Sequence, residues 1–558
     1  MNLCSNAERC GGCYYQGTSY EDEIKIKEKQ LHELLEPVIR NEDYTFEPIV
    51  PSPVHEGYRN KMEFSFGDSE KDGPLTLGLH QKHSFFNIIN TDGCSLTHKD
   101  ADYIVRTTRE YFSKLEITYE HKKAHEGYLR HLLFRRAVKT GEILVDLVTT
   151  SQWDSAMRVP APQEVIEQRA KELDEWFNRR YSPKAQKKHK KPEPDKYIRV
   201  KPSVSEEEVL EGWKDMLLGL KEEGKIEGTF AGILHTINDS LADAVTDMGT
   251  TVLYGKNYFY EEILGLRFRI TPFSFFQTNS QGAEKLYSKV REYAGFSELQ
   301  KEQESGDMKK PVIYDLYSGT GTITQLMSSV ASKAIGVEIV KEAVAAAREN
   351  AELNGVTNCN FIAGDVLKVI EQGGRLIKED GTYEDAPRPD FIILDPPRDG
   401  IHPKALTKII DYGVDKLIYV ACKPTSLARD LTPLQAAGYK VEKLCPVDMF
   451  PRTNNVETVC LLSKLHEAKH HINVKVDMDE LDLTSAEAKA TYKEIEEWVQ
   501  EHYGFHVTNL NIAQVKQKHG IIERENYNKP KSEKSRQPGC PEEKVKAIEE
   551  ALKYFQMI

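Results

Sequence analysis

"DLYSGTGTIT", residues 315–324, follows a short apolar run and opens onto a segment of helical character. Asp315 closes the run. Gly319 and Gly321 let the backbone pass close to a bound group, because a residue without a Cβ leaves room and tolerates left-handed conformations. Twenty-three residues after Asp315 comes Glu338, at the end of the next apolar run, "KAIGVE". A carboxylate in that place can accept both hydroxyls of a ribose. Asp365, in "AGD", closes a third run. A glycine turn and two acids, in order on successive strands, predict an adenosyl cofactor. NAD and S-adenosylmethionine fit that pattern equally.

Working outward, residues 270–465 alternate apolar strands with helical stretches. "VIYDLYSGTG", "KAIGVEIV", "CNFIAGDVL", "PDFIILDPPRDG" and "KLIYVACKP" are the strands; Glu342–Asn354 and Pro403–Tyr412 are two of the helices. Such alternation predicts βαβ units and a mostly parallel sheet, with ligands beyond the strands' carboxyl ends. Residues 41–269 read as an α+β domain of short strands and turns, with a charged, helix-prone insertion at about 163–225. Residues 1–40 hold three cysteines and an amphipathic helix, Tyr20–Leu35. Residues 466–558 form a charged helical extension. In it, Thr484 and Glu487 make a capping-box pattern, and Pro541 starts a last helix. Two short helices joined by "GFHVTN" fit an ordinary helical hairpin better than a helix-turn-helix reader.

At 558 residues the chain exceeds one ordinary domain. No apolar run reaches the roughly 18 residues of a membrane span. The first residues lack the apolar core of a secretory signal, so a cytoplasmic location without membrane contact is expected. There thiols stay reduced, and clustered cysteines read as metal-binding or catalytic. The net charge of −13 argues against wholesale coating by nucleic acid. Charge is local, however: residues 178–201 carry ten Lys or Arg against two acids, and residues 121–139 are basic with aromatics. Such stretches can line a polyanion groove, although a solvated linker explains the first as well.

"LDPPRDG", residues 394–400, separates the two cofactors. Asp-Pro-Pro at a strand end makes a stiff, extended loop that carries Asp395 over a cofactor's reactive end. Methyltransferases acting on bases commonly have this feature, and dehydrogenases do not need it. Cys422 lies just past the strand "KLIYV". A free cysteine there is commonly a small buried hydrophobe. Lys423, Arg429 and the start of a following helix are expected to favour its thiolate.

The order of Gln277 in "PFSFFQTNSQ", "DLYSGTGT", "DPPRDG", "ACKPTSLARDL" and "DMFPRTNNVETV" resembles the bacterial S-adenosylmethionine-dependent RNA 5-methyluridine methyltransferases. Within them it is most similar to the 23S rRNA (uracil-5-)-methyltransferases that carry an iron–sulfur cluster. "GYRNKMEFSFG", "GYLRHLLFRR" and the first cysteines extend the similarity forward. The resemblance implies a Rossmann-like S-adenosylmethionine methyltransferase domain; with the α+β central domain, expected to bind RNA, the N-terminal Cys cluster and the C-terminal helical extension read above, the expected fold class is α/β. It implies that Gln277, Tyr317, Glu338 and Asp395 bind the cofactor, with Cys422 as nucleophile and Glu457 as base. Uracil C5 is a poor nucleophile until a thiolate adds at C6. After methylation, a carboxylate must remove the C5 proton so that the thiol can leave. The base must also leave its stack to reach the thiolate.

"CSNAERCGGC", residues 4–13, supplies Cys4, Cys10 and Cys13. Cys94 in "TDGCSLT" is the only other cysteine ahead of the cofactor domain, and the set matches the family's [4Fe–4S] ligands. Four thiolates suit zinc too, and spacing alone does not separate the two. The cluster's expected role is to pin the N-terminus to the central domain. Cys359, Cys445, Cys460 and Cys540 are expected to be structural. Family members often read "SCNP" where this chain has "ACKP", and "PHTxHVE" where it has "PRTNNVE", which touches the surroundings of Cys422 and Glu457. Many relatives begin with a small β-barrel, whereas this chain opens on the cysteines; the basic insertion and the tail are the expected substitutes for RNA grip. The leading expectation is a monomeric enzyme that methylates a 23S rRNA uridine. The alternatives are the same reaction on tRNA, or a non-catalytic iron–sulfur RNA-binding or assembly factor.

Overall fold

The computed structural model describes residues 4–84, 86–122, 124–181, 191–241, 245–305, 310–370, 375–377, 383–385, 387–464, 492–503, 505–519 and 541–554. The chain divides into two compact units, Met1–His466 and Glu467–Ile558. Among the described residues, no helix is long and apolar enough to cross a membrane.

The first unit holds two large sheets. An eight-stranded sheet runs in the order Thr45–Phe46, Tyr439–Val447, Glu457–Lys464, Lys416–Ala421, Phe391–Leu394, Val312–Leu316, Lys333–Glu338, Cys359–Ala363. The last five strands are mutually parallel, and Glu457–Lys464 is antiparallel to both of its neighbours. The strands alternate their apolar residues between two cores, as the period of two requires. Tyr314 and Leu316 face one core together with Leu427 and Leu431 of the helix Pro424–Ala436. Ile313, Ile418 and Val420 face the other, with Leu286 and Val290 of the helix Ser280–Ala294. Each such buried side chain contributes about 1.5–3 kcal/mol, so this double covering holds the strand ends in place.

The second sheet has seven strands, Thr250–Gly255, Thr229–Ile237, Glu142–Thr149, Leu129–Arg136, Lys61–Gly67, Thr76–His80 and Ile88–Asn90. It is antiparallel except where Glu142–Thr149 meets Thr229–Ile237. The crossover between those two parallel strands contains the helix Glu206–Glu222, whose Val209, Leu210, Trp213, Leu217 and Leu220 are buried in the sheet's core. This corrects the expected insertion of 163–225: its last third is core, because parallel neighbours need a packed crossover. The helix Gln163–Arg180 buries only Phe177, and Tyr197–Val200 pairs with Met157–Pro160 as a separate ribbon. The most basic part of the insertion lies outside the described residues.

The amphipathic helix is found at Tyr20–Leu35. Leu31 and Leu35 enter the core of the eight-stranded sheet, and Thr45–Phe46 adds its edge strand. In the second unit the helices Tyr492–Tyr503, Asn509–Lys518 and Glu542–Tyr554 share a core of Ile495, Val499, Ile512, Val515, Ile548 and Leu552. The expected capping box at Thr484 and Glu487 lies outside the described residues, as does Cys540.

Candidate active site

The carboxyl ends of the parallel strands bring the expected residues to one edge of the eight-stranded sheet. Leu316 pairs with Val337 on one side and Leu394 on the other, so Tyr317, Glu338 and Asp395 leave the sheet together. The glycine turn is tied down from the neighbouring strand. Tyr317 and Ser318 both donate to Val337 O, at 2.9 and 3.0 Å, and Gly319 N–H donates to Glu338 Oε2 at 3.0 Å. Val340 N–H donates to the other Glu338 oxygen. Tyr317 has φ of +71°, costly for a side chain with a Cβ, so the turn is held against local preference. Gly319 and Gly321 also have positive φ. A Cβ on Gly321 would meet Phe361 at 2.5 Å, whereas one on Gly319 would find only Phe275 at 4.0 Å. The first glycine therefore faces open space and the second a packed neighbour. Phe275, which borders that open side, is 70% exposed. Asp365 ends the third strand, where it accepts from Leu367 N–H at 2.9 Å and acts on the Tyr317 hydroxyl by its charge.

Cys422 and Glu457 meet across an antiparallel pair. Ala421 is opposite Thr458, so the next residues on each strand are Cys422 and Glu457. Glu457 is buried, and burial pushes its carboxyl up to about 7 against the charge of Arg398. Cys422 is half-buried. Burial, then Glu457 and Asp395, push its thiol up to about 11, with Arg398 opposing. Asp395 is raised well above the usual carboxylate range by burial and by Glu457 and Asp315. The expectation for the thiolate is corrected here. Arg429 is turned away, donating to Asp430 Oδ1 at 2.8 Å and Ile401 O at 3.2 Å. The cation that acts on both Cys422 and Glu457 is Arg398 in "DPPRDG". Its loop is fastened by Ser426 Oγ–H donating to Arg398 O at 2.5 Å. Buried Asp430 adds to this by accepting from Ile401 N–H and Tyr419 O–H.

Gln277 reaches this group through a residue that sequence reading missed. Tyr287, buried on the helix Ser280–Ala294, has its hydroxyl held protonated by burial and by the charges of Asp395, Glu457 and Asp315, with the Gln277 side chain acting the other way. At helical spacing in "AEKLYSKV" it reads only as core.

The family model described as tRNA (Uracil-5-)-methyltransferase matches residues 260–465. An uncharacterized RNA methyltransferase of Clostridium tetani is 41% identical over 456 residues, 82% of each chain. The chain belongs to the RNA uracil-5-methyltransferase family. A further similar RNA methyltransferase, from Bacteroides thetaiotaomicron, is 30% identical over 472 residues, 82% of this chain and 87% of that one. The crystal structure of the Pyrococcus abyssi tRNA (uracil-54, C5)-methyltransferase in complex with S-adenosyl-L-homocysteine superposes with a TM-score of 0.54. It covers 81% of this chain and 86% of its own at 23% identity, so the two share a fold.

In this methyltransferase the four expected metal ligands lie well away in sequence from Cys422. Cys4, Cys10, Cys13 and Cys94 line one cavity with Leu79 and Leu96. Cys94 is pushed up to about 11, chiefly by burial and then by the other three thiols. Backbone bonds fasten the loop to the second sheet, Gly11 N–H to His80 O at 3.1 Å and Lys82 N–H to Arg9 O at 2.7 Å. Among the described residues, no three His, Cys, Asp or Glu side chains are drawn together as a ready set for a single metal ion.

Proposed function

We propose that this protein methylates C5 of a uridine in 23S rRNA, with S-adenosylmethionine as donor, Cys422 as nucleophile and Glu457 as base. The observation that carries the reading is the placement of Cys422 beside Glu457 at the strand ends, next to the glycine turn and Asp395. Glu338 still has lone pairs free for two ribose hydroxyls while it holds Gly319 and Val340. Gln277, Tyr317, Asp365 and Asp395 are the further residues assigned to the cofactor, and open space at Gly319 gives it room. When bound, S-adenosylmethionine supplies an electrophilic methyl group.

Cys422 Sγ adds to C6 and makes C5 nucleophilic. Once C5 carries the methyl, Glu457 takes its proton. The C–H electrons form the C5=C6 bond, and the thiolate leaves C6. A carboxyl raised to about 7 is well matched to taking a proton near neutral pH. Arg398 supplies the charge that helps the thiolate form.

The donor set at Cys4, Cys10, Cys13 and Cys94 fits an iron–sulfur cluster. Four soft thiolates lining one cavity can hold the iron–sulfur cluster that the family resemblance implies. It would fasten the N-terminal loop to the sheet, with no part in the reaction. The test of function is labelled-methyl transfer to naked rRNA and to tRNA from a strain lacking the gene, with the modified position mapped. 5-Methyluridine in 23S rRNA is expected; label only in tRNA moves the substrate, and label in neither ends the proposal.

A further inference from the structure

The loop that delivers Glu457 is held by a buried ionic cluster from the opposite end of the chain. The strand Tyr439–Val447 ends with Val447 paired to Glu457, and Asp448 begins the loop between them. Lys27, 1% exposed on the helix Tyr20–Leu35, donates to Glu23 Oε1 and Asp448 Oδ1, both at 2.8 Å, and to Phe450 O at 3.2 Å. Tyr20 O–H donates to the other Asp448 oxygen at 2.8 Å. Arg452 N–H donates to Glu23 Oε1 at 2.6 Å, and its guanidinium lies 3.7 Å from Glu23 Oε2. Arg452 stands at φ +70°, and its carbonyl accepts from Tyr14 and Tyr15 N–H. Two cations and two anions thus balance, all nearly out of water. Glu23, Lys27 and Asp448 carry no part of the chemistry described above.

Burying such a cluster costs desolvation that an apolar contact would avoid. What it adds is direction, because each loop atom is bonded to a particular partner. We infer that Lys27, with Glu23, Asp448 and Tyr20, is a positioning group for Glu457 and governs the proton-removal step. This rests on the reading of Cys422 and Glu457 given above. Misplacing a base by about 1 Å can slow its step roughly a hundredfold. Cys422 follows a different strand, whose Tyr419 O–H donates to Asp430, so its attack should be spared.

The test partitions the two steps in the full-length enzyme. Lys27→Met combined with Asp448→Asn removes one charge of each sign; Tyr20→Phe removes a single hydroxyl and keeps every charge. Each variant is given RNA tritiated at uracil C5, and the detergent-stable protein–RNA adduct is followed during turnover. Expected are C5-methylated adduct accumulating and tritium release slowed about tenfold or more in the double variant, and a smaller change in the same direction for Tyr20→Phe. Adduct formation with 5-fluorouridine RNA, which has no C5 proton to lose, stays at the wild-type rate. Unchanged tritium release, or equal loss of adduct formation and release, overturns the inference. If the double variant does not fold, Tyr20→Phe alone decides by the same readout. A wild-type enzyme that forms no adduct with 5-fluorouridine RNA overturns the covalent reading itself, a result distinct from an unaltered partition.

Discussion

Glu457 stands beside Cys422 on the adjacent antiparallel strand, and its charge opposes ionisation of the thiol. The carboxylate charge of the proposed base therefore hinders ionisation of the proposed nucleophile. That relationship, with Arg398 acting against it, determines how the site should respond to substitution.

Alkylation of Cys422 by iodoacetamide reads the thiolate directly. Removing the negative charge in Glu457→Gln lowers the thiol's pKa, so alkylation at pH 8 becomes faster although methyl transfer is lost. Arg398→Gln removes the opposing charge and makes alkylation slower. Equal rates in the wild type and both variants would show that the two charges do not reach the sulfur.

The same carboxyl affects stability. Its folded-state pKa of about 7 lies above the ordinary value of 4.5, so the folded state binds more protons between those pH values. Stability contributed by the neutral carboxyl is thus full below about pH 4.5 and lost as pH rises through 7. Glu457→Gln should stabilise the protein at pH 8, by up to about 3 kcal/mol. The difference should vanish below pH 4.5. Denaturant unfolding at the two pH values checks this, and an effect of the opposite sign would refute the burial argument.

The two glycines of the turn should fail in different ways. Gly319→Ala places a methyl in open space where the cofactor is proposed to lie. It should melt within a few degrees of wild type but bind S-adenosylmethionine at least about tenfold more weakly, since a left-handed alanine costs only about 1–2 kcal/mol. Gly321→Ala meets Phe361 and Ala347 and should lose more stability than that, by about 1–3 kcal/mol of overpacking. Calorimetry of binding and thermal melts separate the two.

Protein purified without oxygen should contain iron and acid-labile sulfide in equal amounts. Cys94→Ser should lower both and expose the N-terminal loop to protease, because that thiol shares the cavity with Cys4, Cys10 and Cys13. One equivalent of zinc and no sulfide would replace the cluster with a zinc site.

The local patterns were legible because their physics is local. A glycine pair after an apolar run makes a tight turn, and acids at strand ends gather at one sheet edge once the strands are parallel. The helix Tyr20–Leu35 reads from its own periodicity, and the structure adds the cap at Ser19, whose side chain accepts from Asp22 N–H. Placement was not legible. Glu206–Glu222 looks like a charged insertion until Trp213 is found inside the second sheet's core. Arg429 looks like the thiolate's cation until Asp430 is seen to take it.

The sequence by itself determined the βαβ order, the glycine turn and the place of Cys422 just past a strand, while the pairing that brings Glu457 beside it belongs to the fold. The tertiary structure alone decided which charges face Cys422, and that Lys27 reaches Asp448 across 421 residues. The physical reason is range. Turns and strand ends depend on a few neighbouring dihedrals, while burial and charge depend on whatever the completed fold brings alongside.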